Sequence, residues 1–484
     1  MVKKDNYTVL LIIIGCLALN FLHSPLSEIF FDDKDIFRYI GQVIYKGGVP
    51  YRDVFDNKPP LIYFFYTLGW YGNAWLPWLL DSLLVLFATI LFYRLCRKNE
   101  LPFSWFLPLI FNLLIRYGLV SFGNGMTREY TTVFILIFFC TMQGKNRYTF
   151  YILGLLTGLI LWMQQDAIFT LSPFLLYSLF ISKEGSDFAF GKRILNMAGG
   201  FFSVTLLLLL YFYSHNALAF LWNDAFLFNL QLPRVHKSLI EEIKTIKHAL
   251  HEAEYEMAFY TSTVLGTAAL FLKNKNLRLL WVALSALFLS FAGEFISGRI
   301  SLGNQYLYYL LPLAATMPIL IFVVFTNSQE SFLEDKKVHF IFYMILSFTL
   351  FLGTLRYAMG LESLKDSPAA EMSDIDYLDL QRLKDFDLYV FGDSNFIYLY
   401  NKYKLLAPSP WIYPFFLNLD KDNSITHSIF ENLKSHKTKF ILDCSDVSSK
   451  HLNESIKIEW KKFIETHYKL IQTDPSNRKL WRIQ

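Results

Sequence analysis

Long apolar runs separated by short polar breaks fill the first three quarters of the chain. A run of ~17–25 mostly apolar residues is the length that crosses a bilayer as a helix. Eleven candidates are present: Tyr7–Leu22, Leu76–Leu95, Phe103–Phe122, Thr127–Met142, Tyr148–Met163, Ile168–Ile181, Ile194–Tyr213, Met257–Leu272, Leu279–Ile296, Tyr306–Phe325 and Phe340–Leu355. Only Gln164-Gln165-Asp166 separates the fifth from the sixth. The first follows Lys3 and Lys4 like a signal peptide, but it lacks a small-residue cleavage site and ten more runs follow, which predicts an uncleaved helix. Past Gly360 the pattern changes. Strand-like runs (Asp387–Gly392, Phe440–Asp443, Lys469–Thr473, Leu480–Ile483) alternate with helix-like ones (Ser394–Lys402, Ser424–Leu433, His451–His467), which predicts a small α/β domain. Between His236 and Met257, Leu239, Ile243, Ile246 and Leu250 recur at helical spacing among Glu and Lys, the pattern of an amphipathic helix lying on a surface.

Charge follows the same division. Residues 361–484 carry 35 charged side chains, whereas the 360 residues before them carry 51. The expectation is a polytopic α-helical membrane protein of about eleven transmembrane helices over residues 1–359, with an outer loop at 27–75, and a water-soluble α/β domain over 360–484. A wholly soluble enzyme, a fibre, a disordered chain and a disulfide scaffold are excluded. Net charge of +4 is too small to argue for nucleic acid. Cys16, Cys96 and Cys140 lie in apolar runs and Cys444 stands alone, so no disulfide or metal-knuckle spacing exists. Lys and Arg set orientation through short loops. Arg94, Arg97 and Lys98, then Lys145 and Arg147, Lys183, Lys192 and Arg193, Lys273, Lys275 and Arg278, and Lys336 and Lys337 all fall on the side of Lys3 and Lys4, the expected cytoplasmic side. The tail, loop 27–75 and residues 214–256 are then outside.

The outer loop concentrates the chemistry. Asp32-Asp33-Lys34-Asp35 opens a helix-like stretch whose apolar face is Ile36, Phe37, Ile40, Val43 and Ile44. Asp32 and Asp35 fit an N-terminal capping role. Asp33 shares the apolar face, and two readings of it stand: a helix-end carboxylate, or a functional one at the membrane boundary. An Asp33-x-Asp35 metal site is disfavoured, because the two side chains diverge on a helix. After Gly47-Gly48, Asp53, Asp56 and Lys58 crowd into six residues ahead of Pro59-Pro60, which fixes the backbone entering the next helix. Lys58 is either a headgroup-level anchor or a phosphate-binding cation.

The span Asp33-x3-Phe37-x-Tyr39-Ile40-Gly41-Gln42 … Gly48-Val49-Pro50-Tyr51-Arg52-Asp53-x2-Asp56-x-Lys58-Pro59-Pro60-Leu61-Ile62-Tyr63 resembles bacterial relatives of protein O-mannosyltransferases and lipid A aminoarabinose transferases. Scattered matches continue at Asn124-x2-Thr127-x-Glu129-Tyr130 and at Gly298-Arg299 … Gln305-Tyr306 … Leu310-Leu311-Pro312. The resemblance implies a GT-C fold and transfer of a sugar from a polyprenyl-phosphate donor to a lipid, glycan or protein acceptor, with no cofactor and no metal. It implies Asp33 as base, Lys58 and Arg299 on the phosphate, and Tyr51, Asp53, Asp56, Glu129, Gln305 and Tyr306 about the substrate. The chain departs from the family's pattern at Lys34, Gln164 and Gln305, which bears on the donor sugar.

Other polar residues have structural readings. Asp81 and Arg116 lie at matching depths in the second and third spans and predict a structural ion pair. Glu129 either orients Lys58 or the acceptor, or favours a helix N-terminus, and Glu294 is similar. His248 and His251 lack a third metal ligand, and Asp393 at a strand end reads as a loop cap. A polysaccharide polymerase or ligase is the second enzyme reading. A transporter is the third, but its paired broken helices at the midplane have no counterpart in this pattern. The topology is directly testable: a reporter active only outside the cytoplasm, fused after Gln484, should be active. A silent one alongside an active cytoplasmic reporter would refute it.

Overall fold

The computed structural model describes residues 2–21, 24–25, 32–73, 75–116, 125–144, 146, 148–180, 190–231, 238–252, 256–271, 276–291, 310–327, 337, 382–393, 396–412, 423–445, 454–473 and 477–484. Its helices begin with α1 (Val2–Phe21), α2 (Asp32–Tyr45), α3 (Leu61–Tyr71), α4 (Trp75–Lys98), α5 (Phe106–Arg116) and α6 (Thr127–Met142). They continue with α7 (Thr149–Met163), α8 (Ile168–Phe180), α9 (Phe190–Ser214), α10 (Leu218–Trp222), α11 (Phe228–Gln231), α12 (Leu239–Glu252), α13 (Glu256–Phe271), α14 (Leu277–Leu289) and α15 (Leu313–Asn327). Each of the first ten apolar runs thus contains a helix, and the eleventh lies outside the described residues. By length and composition two of them, α4 and α9, suffice to cross a membrane, and several others are shorter apolar helices. The Gln164–Asp166 break is real: α7 stops at Met163 and a 3₁₀ turn over Gln165–Ala167 leads into α8.

The chain divides into two compact units, one of 1–28, 75–210 and 232–363, the other of 29–74, 211–231 and 364–484. The outer-loop helices therefore group with the tail rather than with the apolar run on either side of them. In the first unit α6 and α15 are the inner helices, buried over Thr127–Phe139 and Leu313–Phe325. On α9, by contrast, Leu207 is 71% exposed and Leu195 73% exposed, as a lipid-facing helix would be. At α12 a capping box stands at the start: Ser238 Oγ lies 3.3 Å from the Glu241 amide, and Glu241 Oε2 accepts from the Ser238 amide at 2.9 Å.

In the second unit the tail forms a four-stranded sheet in the order β1 (Leu388–Phe391), β2 (Phe440–Asp443), β4 (Lys479–Ile483), β3 (Tyr468–Thr473). β1 and β2 are parallel, and β4 runs antiparallel to both β2 and β3. Helices α16 (Tyr398–Tyr403), α17 (Ser424–His436) and α18 (Glu454–His467) complete it, close to the predicted α/β pattern. Trp460 of α18 stacks on Phe391 at 3.7 Å within a core that also holds Ile429, Leu433, Ile441 and Trp481. Tyr400 ties α16 both ways: its hydroxyl accepts from the Val390 amide at 2.9 Å, and its ring meets Tyr39 of α2 at 5.3 Å.

Helices α7 and α9 cross through glycines. A Cβ on Gly154 would lie 1.9 Å from the Met197 carbonyl oxygen, and one on Gly200 would lie 2.0 Å from that of Tyr151. Gly154 and Gly158 form the small-residue spacing that lets membrane helices approach closely. Gly154→Ala should therefore cost at least the ~1–3 kcal/mol of overpacking and lower the melting temperature in detergent. Gly199→Ala, whose Cβ would meet only the Tyr151 ring at 3.8 Å, should not.

Candidate functional site

The loop after α2 is built on its glycines. Gly47 lies at φ +89°, its amide reaches the Ile44 carbonyl at 3.0 Å, and the Gly48 amide reaches that of Val43 at 2.8 Å. This is the left-handed helix stop that glycine favours. The chain then closes on itself. The Asp53 amide donates to the Val49 carbonyl at 2.9 Å, the Tyr51 amide donates to the Val54 carbonyl at 2.7 Å, and Tyr51 is held at φ +70°.

The loop's own carboxylates fasten this turn. Asp53 Oδ2 accepts from the Val49 amide at 2.7 Å, and Arg52 grips the same carboxylate through Nε and Nη2 at 2.9 and 2.8 Å. Burial works against the charge, but those hydrogen bonds outweigh it and hold the Asp53 carboxyl below its ordinary range. Asp56 accepts from Tyr63 Oη at 2.7 Å and from the Asn57 amide at 2.7 Å. Tyr51 Oη donates to the Lys58 carbonyl at 2.6 Å. Burial, with Asp56 and Asp224 nearby, pushes the Tyr51 phenol well up, so it stays a donor.

Both neighbouring segments of the unit clamp the loop. On the tail side the Phe55 amide donates to the Pro410 carbonyl at 3.0 Å, and the Phe55 ring stacks on Trp411 at 4.5 Å. On the other side Asn57 and Asn229 exchange hydrogen bonds at 2.9 and 2.7 Å. Helix α2 is held similarly: Gln42 donates to the Leu405 carbonyl at 2.8 Å, the Ala407 amide to Tyr39 Oη at 2.7 Å, and Lys46 to Asp385 at 2.5 Å.

Two charged groups remain open. The Asp33 carboxylate and the Lys58 ammonium, both half-buried, make no hydrogen bond or ion pair among the described residues. Asp35 is the opposite case and corrects its sequence assignment as a helix-end cap. It is 5% exposed and accepts from Asn401 Nδ2 of α16 at 3.2 Å, with Arg38 at 4.0 Å. Burial raises its carboxyl, opposed by Arg38, Asn401 and Lys34. Asp35 is thus a fastening between α2 and the tail. The expected substrate residues Asp53 and Asp56 and the Tyr51 hydroxyl are likewise committed within the loop. Arg299, Gln305, Tyr306 and Glu294 lie outside the described residues.

Glu129 belongs to the first unit. Arg116, 0% exposed, sits between Asp81, at 2.5 Å, and Glu129, whose Oε2 also accepts from the Gly125 amide at 2.7 Å. The Asp81–Arg116 pair read from depth alone is therefore present, with Glu129 as its third member. One and two residues earlier on α6, Arg128 reaches Asp166 at 2.5 Å and Thr127 reaches Gln164 at 2.6 Å, so the polar break between α7 and α8 is satisfied from α6.

The scaffold is a GT-C type membrane fold with a small C-terminal sheet. Among solved structures it is similar to ArnT from Cupriavidus metallidurans bound to undecaprenyl phosphate, with a TM-score of 0.60 and 12% identity over 98% of this chain and 97% of that one. No family profile and no curated protein matches the sequence. At that identity the likeness is one of fold, and it agrees with the fold that the outer-loop motif implies.

Reading the sequence did not single out Asn229, Trp411 or Asp224. Asp224 alone had a usable signal, as the one charge in the apolar stretch Leu218–Leu230. The Arg116 cluster makes a stability prediction. Arg116→Met leaves two buried carboxylates without their cation, so unfolding in detergent should become easier by about 3–5 kcal/mol. An unchanged melting temperature would show that the cluster fastens nothing.

Proposed function

We propose that the chain is a membrane glycosyltransferase that moves a sugar from a polyprenyl-phosphate donor to a lipid, glycan or protein acceptor on the outer face of the plasma membrane. The observation that carries this reading is the pair of open charges, Asp33 and Lys58, in a loop whose other charged groups are committed. The fold adds to it, since the similar ArnT is bound to undecaprenyl phosphate. A lipid-linked donor must react at the membrane surface, because its tail stays in the bilayer.

The chemistry needs a proton acceptor for the acceptor hydroxyl and a cation for the departing phosphate. Asp33 takes the proton as the acceptor oxygen attacks the sugar's anomeric carbon. The bond to phosphate breaks, and its electron pair leaves with the polyprenyl phosphate. Lys58, with Arg299, stabilises that charge. One displacement inverts the anomeric centre and requires no covalent intermediate. Tyr51, Asp53 and Asp56 act through the loop, by fixing Lys58. Gln305 and Tyr306 are proposed as further substrate residues, whereas Glu129 is committed to Arg116 and the Gly125 amide. The tail supplies the clamp and a surface for acceptor or neighbouring proteins.

Three variants in one detergent preparation, assayed with several labelled polyprenyl-phosphate sugars, test the assignment. Asp33→Asn should lose about a hundred- to ten-thousandfold in turnover and keep donor binding. Lys58→Ala should also bind donor more weakly by roughly ten- to a hundredfold, the equivalent of one charge-assisted hydrogen bond. Asp35→Asn should retain turnover and lose about 0.5–1.5 kcal/mol of stability. An active Asp33→Asn beside a dead Asp35→Asn would overturn the choice of base.

A further inference from the structure

Between Leu218 and Gln231 the chain runs through α10, a π-helical turn over Asn223–Leu227 and α11. Single π turns inside α-helices recur at functional sites. The entry to this segment is fixed. Asn216 stands at φ +53°, its amide closes onto the Tyr213 carbonyl at 3.0 Å, and the Ala217 amide onto that of Phe212 at 2.8 Å. That is the left-handed stop that ends a helix. The segment then lies against the motif loop, where Phe228 meets Phe55 edge-on at 5.1 Å. Just ahead of it, the Phe212 ring lies 5.7 Å from that of Tyr51.

Asn229 makes a polar contact with that loop at one particular peptide. Its Nδ2 carries two protons and both are used, one on the Ala225 carbonyl of the π turn at 2.9 Å and one on the Asn57 carbonyl at 2.7 Å. Its Oδ1 accepts from Asn57 Nδ2 at 2.9 Å. These partners fix which way round the amide stands, since turning it over would set Oδ1 against two carbonyl oxygens. The Asn57 carbonyl belongs to the peptide that leads into Lys58. The next carbonyl, that of Lys58 itself, accepts from Tyr51 Oη at 2.6 Å. Pro59 follows, and the residue ahead of a proline is pushed toward extended backbone. Side chains therefore pin the peptides on both sides of the Lys58 Cα, and the lysine side chain is what remains to vary.

We propose that Asn229 is a positioning residue of the transfer site, which sets the Lys58 ammonium against the donor's phosphate by holding the peptide that leads into it. This inference rests on the transferase reading. The polar atoms of the Asn229 side chain are taken up by Ala225 and Asn57, so it acts through Lys58 and not on the substrate. A loop that needed only closing could be closed by packing, as Phe55 and Trp411 do. A hydrogen bond to the carbonyl beside Lys58 does something packing does not: it sets the plane of that peptide and with it the direction in which the side chain leaves. Lysine carries its charge at the end of a flexible four-carbon stem, and a shift at the root is passed on to the ammonium. Misplacing a group by about 1 Å can cost about a hundredfold in rate, and this cation must meet charge that develops as the sugar departs.

The test is a double-mutant cycle with Lys58 in the full chain, read by undecaprenyl-phosphate binding. Asn229→Leu keeps the side chain's approximate size and removes both donors. It should weaken binding about two- to tenfold, the equivalent of one neutral hydrogen bond. In the Lys58→Ala background the same substitution should cause no further loss, because the group it positions is gone. Asn57→Ala removes the side-chain half of the exchange and leaves the carbonyl bond in place, so it should cost less than Asn229→Leu. Asn229→Ala goes through the same cycle, so that a leucine variant that does not fold decides nothing. Equal weakening with and without Lys58, as a general loosening of the loop would give, overturns the inference. So does wild-type binding by the Asn229 variants, or a larger loss from Asn57→Ala. If Lys58→Ala itself binds undecaprenyl phosphate as the wild type does, the fault lies in the transferase reading, and this inference falls with it.

Discussion

Taking a charge out of water costs several kcal/mol unless a partner is supplied, and the layout of this chain follows from where that cost is met. In the first unit the buried cation Arg116 stands between two carboxylates, and the polar break between α7 and α8 is met by Thr127 and Arg128. In the second unit Asp53, Asp56 and Asp35 are each taken up by donors from the loop, α3 or α16. Against that background a half-buried Lys58 or Asp33 with no partner among the described residues stands out. Such groups call for solvent or a ligand, and a phosphate and a hydroxyl are ligands of the right kind.

The loop's precision comes from pieces far apart in sequence. Residues 49–58 are gripped by α3, by residues 211–231 and by Pro410 and Trp411, and no one of these holds it alone. Ordering that loop costs backbone entropy of ~1–2 kcal/mol per residue, which the converging hydrogen bonds and the Phe55–Trp411 stack offset. The tail is therefore part of what holds the loop that carries Lys58. Its sheet supplies the rigid base: α16 is tied to β1 through Tyr400 and to α2 through Asn401.

What could be read in the sequence was what repeats locally. Apolar run lengths located helices at ten positions, with α6 at the predicted bounds, and short strand-like runs located the four described strands to within a residue. Depth counting along two spans paired Asp81 with Arg116. Long-range partners were not legible. Nothing near Asp35 announces Asn401, which lies 366 positions away, and Glu129 gave no sign that Arg116 would claim it. The α10–α11 segment was missed as a helix because its aromatic residues fall on no single stripe, and its π turn shifts the period partway along.

The division between fastened and open charges also sets how the site can work. Asp53 is held ionised by Arg52 and a backbone amide, so it serves as a fixed negative post and cannot trade protons near neutral pH. Asp224 is the contrasting case, since burial raises its carboxyl and no hydrogen bond or ion pair among the described residues opposes that. Lys58 is open in another sense, as a cation with no partner among the described residues. In the proposed reaction the bound donor is a phosphodiester with one negative charge, which the ammonium neutralises, and the second negative charge develops only as the sugar leaves. The cation is therefore needed most at the moment of departure, which is a physical reason to carry Lys58 on a loop held from several sides.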